Sequence, residues 1–449
     1  MFGFVRIHQE SRVSPFLCRT PISGSSLENP ASRPYNLGVA RLKQPAMILF
    51  LVCCVAYYVK VNVGNLLPGI TDSPSDLSHY YRAAFCVLQA QSPYTDVDFD
   101  YPPAVAFLVT PLAFTDYVTA RRIWFWCSQG FLLLAAFLTW RALGRDRAAA
   151  CCVASVWALG GAAWEGLALG QLGPLLVLLL VLAYWREAAA QGAAVAAGFS
   201  LKFIPGVVSI VPLLRRDWRA LAVLAALGIS GVVVPFAVIS HWKSGPAFPV
   251  RADYWMGTPA VLNWSLPAVA LRIADPPVLG AKLPRNWEFG NGPEGLHLPR
   301  GQQWLSAGIA AGVLLAGLAA LVTVCRGRLN GAQAPWAAAA LISLSVAASP
   351  ISWNHYQILQ YPGLALLLCS AVRRRRWLLG ARTVVLGALL YQIPREVLRA
   401  YYVQHSGWSA ASPATLYIWT SVTPVAALLL FGLLLRQLTA EAATPHRPR

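Results

Sequence analysis

The chain has 449 residues, of which 57% are hydrophobic and only 12% charged, with a formal net charge of +18. So few charges cannot cover a water-soluble domain of this size, and so apolar a composition is not that of a disordered chain. The basic residues fall in short clusters between apolar runs, as they do in the cytoplasmic loops of integral membrane proteins; this excludes a soluble enzyme and a nucleic-acid binder.

Residues 1–45 are polar, with scattered Pro, Ser and Arg and no apolar signal-peptide core. They read as an N-terminal extension, either disordered or lying ahead of a true start at Met47. From there the chain reads as one all-α transmembrane domain over 46–435, followed by a cytoplasmic tail at 436–449. A spanning helix needs about 20 mostly apolar residues. The runs 46–66, 122–140, 219–241, 303–325 and 415–435 meet this requirement, and 148–164, 167–185, 334–350, 356–371 and 377–393 come close, giving about ten full spans. The stretch 102–120 fits poorly and reads as partly inserted or juxtamembrane. Nine cysteines occur, none at metal-binding spacing; they read as small packing residues, and no metal site is expected.

The arginine clusters set the threading. Arg141/Arg145/Arg147, Arg215/Arg216/Arg219, Arg326/Arg328 and Arg373–Arg376 are expected in the cytoplasm. The loop 68–101, with Asp72, Asp76, Asp96, Asp98 and Asp100 against one Arg82, belongs outside, as does the long Pro-, Gly- and Trp-rich loop 242–302. An even number of crossings must separate the clusters at 141–147 and 215–219. After two helices, the segment 190–214 has to enter and return, yet it is too short for two spans at 1.5 Å per residue. A broken or re-entrant pair of half-helices meeting near Lys202–Pro205 solves the parity. Such a break requires surrounding protein or a water-filled cavity.

Polar residues are scarce enough that each counts. Ser75 or Asp76 can cap a helix running through "LSHYYRAAFCVL"; Asp76 is either that cap or a carboxylate at the cavity mouth that takes a proton from a hydroxyl. Tyr80 and Tyr81 lie on this helix, and Tyr94 and Tyr101 lie in the Pro-rigidified turns "SPY" and "FDYPP"; they punctuate a loop or wall a substrate cavity. Lys202 is costly at membrane depth unless it has a partner, an anion or water; the alternative is snorkelling to an interface. Glu165 and Gln171 flank the turn "WEGLALGQLG". Trp353–Asn354–His355–Tyr356 follows Pro350; His355 can meet a phosphate or move a proton, while Trp353 and Tyr356 also suit an aromatic belt. In "NWSLPAVALR", Asn263 and Arg272 stand out, Arg272 as a second phosphate ligand or a solvated surface residue. No Gly-rich nucleotide loop, HExxH or GxSxG is present.

The order D…YY-x-A…PY…YPP…PLA, then GQ…LLLL, then LK-x-x-P…RR-x-W-R, then N-x-S…R and W-x-H-Y resembles the bacterial GT-C glycosyltransferases of family 87 (DUF2029), across roughly residues 47–400. The resemblance implies a GT-C-type multi-spanning enzyme of the bacterial cell membrane. Such an enzyme moves a sugar, mannose in the similar proteins, with inversion from a polyprenyl-phosphate donor to a glycolipid or glycan acceptor on the extracytoplasmic side. It implies no nucleotide, no cofactor and no required metal. The family's essential acid falls on Asp76, its broken-helix lysine on Lys202 and its W-x-H-Y histidine on His355. In the family's L-x-G-x-x-PY turn, Ala90 stands where glycine is usual. A polytopic lipid or solute transporter is the competing reading, since broken helices and buried charge occur there too.

Overall fold

The computed structural model describes residues 36–70, 75–96, 99–186, 188–242, 245–246, 263–274, 299–325, 329–404 and 413–443. The chain divides into two units, Met1–Ala46 and Met47–Arg449. Most of the loop 242–302, and with it Asp72 and Asp98 of the first loop, lie outside the described residues. Among the described residues the fold is all helical, with one isolated antiparallel bridge between Asn263 and Trp353.

Among the described residues, six helical stretches are long and apolar enough to cross a membrane: Gln44–Gly64, Tyr117–Ala142, Trp218–His241, Arg300–Cys325, Trp377–Ala400 and Ile418–Glu441. They belong to α1 (Asn36–Val59, continued by a π-helical turn, Lys60–Gly64), α4 (Tyr117–Ala142), α10 (Trp218–His241), α12 (Arg300–Cys325), α15 (Trp377–Gly387, continued through a π-helical turn, Ala388–Gln392, into α16, Ile393–Gln404) and α17 (Pro413–Ala443). Large apolar side chains on these helices face outward, among them Val55, Leu133, Ile229, Val233 and Leu429. In water such exposure costs about 25 cal/mol per Å²; hydrocarbon removes the cost.

The other apolar runs of the sequence form shorter helices. The runs at 167–185, 334–350 and 356–371 form only α7 (Gly173–Trp185), α13 (Ala334–Ala348) and α14 (Tyr361–Arg373). Every residue of α13 is buried, as are most of α7 and α14. Hydropathy cannot tell a helix surrounded by protein from one surrounded by lipid. The run at 148–164 is bent: α5 (Arg147–Leu159) and α6 (Ala162–Leu169) meet at 53° and together are long enough for a seventh span. The doubtful stretch 102–120 forms α3 (Ala104–Val109) and a 3-10 turn, Thr110–Phe114. Helix α4 then starts at Tyr117, capped by Asp116, and carries Arg121 and Arg122 in its first turns.

The segment after α7 breaks near the lysine. Helix α8 (Ala188–Leu201) stops, Lys202 and Phe203 are non-helical or bent, and a 3-10 turn (Ile204–Ser209) leads into α9 (Ile210–Arg215). The two ends of this segment meet, because the Ala188 N–H donates to the carboxylate of Asp217 over 3.2 Å. Asp217 also caps α10 through the Ala220 N–H at 3.1 Å. The segment is therefore a helical hairpin with Lys202 at its turn. Arginine clusters gather at the opposite end of the domain. Arg373 reaches the Leu143 carbonyl and lies 2.6 Å from Asp146; Arg374 pairs with Glu441.

Three of these basic turns place arginine in the left-handed region, Arg145 at φ 59°, Arg216 at φ 57° and Arg375 at φ 53°. The last two close their helices with six-to-one bonds, Asp217 N–H to Pro212 O and Arg376 N–H to Ala371 O. The cation suits the negative helix end and offsets part of the backbone cost.

Helix α2 (Leu77–Leu88) closes in the same way, with Ala90 at φ 53° and Gln91 N–H bonded to Cys86 O. Ala90 thus fills the turn position where the similar family carries glycine, and its Cβ costs about 1 kcal/mol in that conformation. The Ala90→Gly protein is expected to unfold at a higher temperature in detergent than the wild type; an unchanged or lower midpoint would show that the turn carries no such cost.

Candidate active site

The site is assembled from the C-terminal end of α6. Gly170 takes φ +67°, and the Gln171 N–H closes a six-to-one bond to Gly166 O. That leaves the last carbonyls of α6 to be satisfied from outside. Arg121 donates to Ala168 O at 3.0 Å, Ser75 Oγ to Leu169 O at 2.9 Å and Trp124 Nε1 to Gly170 O at 2.9 Å. Arg121 is buried, which accounts for a charge in the first turns of α4. A Cβ on Gly170 would come within 2.8 Å of Leu77 Cβ and 3.1 Å of Ser75 Oγ, so the close approach of α2 requires glycine.

This clamp holds the Gln171 side chain against Asp76. Gln171 Nε2 donates to Asp76 Oδ2 and lies 3.5 Å from Tyr101 Oη; its Oε1 accepts from Tyr80 Oη at 3.2 Å. Asp76 is the residue before α2, but its side chain makes no capping bond. Ser75 takes that task, accepting from the Leu77 N–H at 3.2 Å. The carboxylate of Asp76 is left to face the site. Burial raises its pKa above the ordinary value, against opposing pulls from His79, Lys202 and the Gln171 bond.

Lys202, at the hairpin turn, brings its ammonium to 3.8 Å from the centroid of the Tyr356 ring and 5.2 Å from that of Tyr101. Such contacts are worth up to about 2 kcal/mol when desolvated. Tyr101 in turn meets Tyr80 edge-on, centroids 4.7 Å apart. His355 packs edge-on to Tyr356 at 4.8 Å. It is buried, and neither ring nitrogen has a hydrogen-bond partner among the described residues. Burial, reinforced by Lys202, holds its pKa well below the ordinary value, so the ring is a neutral imidazole.

Asp76, Lys202, His355, Gln171, Tyr80, Tyr101 and Tyr356 thus converge from four separate stretches of chain. Glu165 stands beside them. It accepts from Tyr391 Oη, and the Asn354 side chain and the charges of Asp76 and Arg395 act on it. Tyr391, Asn354 and Arg395 had not been singled out from the sequence; only the Asn354 position, next to His355, carried a local signal.

The remaining residues are placed differently. Tyr81 turns to the other side of α2, donating to Thr115 O at 2.6 Å and meeting Tyr117. Tyr94 is fully buried, donates to Tyr101 O at 3.1 Å and stacks on Phe236. Asn263 is buried as a clasp: its Nδ2 donates to Pro350 O at 2.9 Å and its Oδ1 accepts from the Ser352 N–H at 2.8 Å, beside the bridge to Trp353. Arg272, on α11 (Leu266–Ala274), is fully buried and donates to Asn263 O at 3.2 Å. Neither is a solvated surface residue; together they fix the loop that presents His355. Among the described residues, no group of three or more His, Cys, Asp or Glu side chains is placed to hold a metal ion.

The Gln171 bond lowers the pKa of Asp76 and so opposes the effect of burial. In Gln171→Leu the carboxyl is expected to titrate at higher pH than in the wild type, read from its carboxyl stretch by difference infrared spectroscopy with Asp76→Asn as the blank. A band that does not move would remove Gln171 from the electrostatics of the site.

No curated relative matches the chain's sequence. Residues 99–288, which carry Tyr101, Glu165, Gln171, Lys202, Asn263 and Arg272, match the model of glycosyltransferase family 87.

Proposed function

We propose that the protein transfers a sugar with inversion from a polyprenyl-phosphate donor, mannose being the sugar the family resemblance suggests, to a hydroxyl of a glycolipid or glycan acceptor. The observation that carries this reading is the meeting of a desolvated carboxylate, Asp76, with a cation, Lys202, and an unpartnered imidazole, His355. The Asp76 carboxylate takes the proton of the acceptor hydroxyl as its oxygen attacks the anomeric carbon. The bond to the phosphate oxygen breaks on the opposite face, and the phosphate leaves on its lipid. Lys202 neutralises the charge that builds there, and an imidazole N–H of His355 donates to a phosphate oxygen. Because little water shields these groups, they act more strongly on developing charge than they would in bulk solvent. Arg272, which the sequence offers as a second phosphate ligand, acts on this reading through the clasp that seats His355.

The basic turns at 141–147, 215–219 and 373–376 gather at one end, and the Asp76 cluster lies at the other. With arginine retained in the cytoplasm, the site opens outside the bacterial cell membrane, where a lipid-phosphate sugar needs no nucleotide. The competing reading, a lipid or solute transporter, rests on the hairpin break and the buried charge alone; it leaves the Asp76–Gln171 pairing without a purpose.

Protein reconstituted with radiolabelled polyprenyl-phosphate mannose and a crude glycolipid acceptor tests the choice. Sugar transfer is expected, whereas translocation without bond cleavage would establish a transporter. Asp76→Asn is expected to insert normally and lose at least about 100-fold in transfer; retained transfer would remove its role as base. A base works only when deprotonated, so wild-type kcat/KM should rise with pH through a limb above the ordinary carboxylate value of about 4. Lys202→Ala is expected to bind donor more weakly as well as turn over more slowly, and equal donor affinity would count against a phosphate contact.

A further inference from the structure

A second cavity, of about 300 Å³, lies on the other side of α6 from Gln171's end, lined among others by Asn62, Trp164, Gln392, Arg395, Glu396 and Arg399. This is the lower end of the range of small-ligand sites, roughly 300–1,000 Å³. Both π-helical turns border it, Lys60–Gly64 through Asn62 and Ala388–Gln392 through Gln392. Such turns open the regular backbone ladder and recur at functional sites.

The lining has a specific chemistry. Asn62 is 2% exposed, and its side-chain oxygen has no hydrogen-bond donor among the described residues. Its backbone carbonyl is already used by Gln129 Nε2 at 2.8 Å, so the π-helical turn itself is satisfied and only the side chain wants a partner. An unpaired buried amide oxygen costs about 1–3 kcal/mol, a cost that a ligand donor removes. Arg395 is paired to Glu396 at 2.5 Å and lies 4.7 Å over the Trp164 ring. Arg399 is the charge on this wall beyond that pair, so the wall carries a single net positive charge rather than a cluster built for an anion. An indole, the side-chain amides of Asn62, Asn65 and Gln392, a paired Arg395–Glu396 and Arg399 supply an apolar face with both donors and acceptors around it. That combination matches a ring bearing several hydroxyls.

Helix α6 joins the two sites. Trp164 faces the cavity, the next residue, Glu165, accepts from Tyr391, and Gln171 holds Asp76. Seven residues along a helix cover about 10 Å, too far for the reacting hydroxyl itself to lie in the cavity. We propose that this cavity binds a sugar or cyclic polyol ring of the acceptor remote from the hydroxyl that reacts, stacked on Trp164 and hydrogen-bonded to Asn62 and Gln392. The inference rests on the reading of the protein as a glycosyltransferase. It makes the acceptor larger than a single ring, with binding energy at the distal ring used to position the proximal one.

The test is saturation-transfer NMR on the full chain in lipid nanodiscs, with α-methyl mannoside as the probe and no donor present. Ring-proton saturation is expected with the wild type, at least five-fold weaker with Trp164→Ala and Gln392→Ala, and restored by Trp164→Phe. Phenylalanine keeps the stacking face, so its rescue separates loss of the ring contact from misfolding. No saturation with the wild type, or equal saturation across the variants, overturns the proposal. So does broadening of the inorganic phosphate resonance that Arg399→Ala abolishes, if the sugar gives no signal. Because no donor is added, a failure of sugar transfer leaves this result standing, and a failure here leaves transfer untouched.

Discussion

The last turn of α6 ends inside the protein, and its carbonyl oxygens cannot turn to water. Each must find a donor or cost the molecule about 1–3 kcal/mol. Arg121, Ser75 and Trp124 supply one donor apiece to three successive carbonyls. These donors come from α4 and from the start of α2, so meeting the requirement fixes the position of both against α6. It also fixes the direction in which the chain leaves Gly170, and hence the side chain of Gln171. The arrangement of Asp76 follows from this: with Ser75 already serving as cap, the neighbouring carboxylate is released to bond Gln171.

The electrostatics follow from scarcity of water. A lone ammonium at the Lys202 position is expensive, and the fold meets the expense in two ways. Two tyrosine rings offer their negative faces, and Asp76 provides a carboxylate whose charge acts on the lysine without a close ion pair having to form. A tight Lys–Asp pair would leave little attraction for an incoming anion. Rings stabilise a cation while leaving its charge open. His355, kept neutral beside that cation, adds a donor without adding charge.

Much of this was legible in the sequence, and the boundary is instructive. Parity of charged loops required a break near Lys202, and the chain breaks there. Hydropathy located the long lipid-facing helices, whereas α7 and α13 are as apolar but shorter and surrounded by protein, a distinction that hydropathy does not carry. The motif residues Asp76, Lys202 and His355 were each identifiable, but their convergence was not, since they are separated by more than a hundred residues and no local pattern encodes the meeting. Tyr391 and Arg395 carried no sequence signal at all, and the clasp role of Asn263 was hidden behind an N-x-S pattern. Ala90 illustrates the reverse case: a departure from a family turn that the backbone accepted without changing the turn.

The hydrogen bond between Ala188 and Asp217 has a consequence for how the chain is built into a bilayer. Because the hairpin leaves and returns at one end, it adds no net crossing. The orientation of every later helix is decided by the basic turns around it and is independent of whether the hairpin is in place. The costliest residue of the domain is thus carried by a segment that can be seated after its neighbours have been threaded.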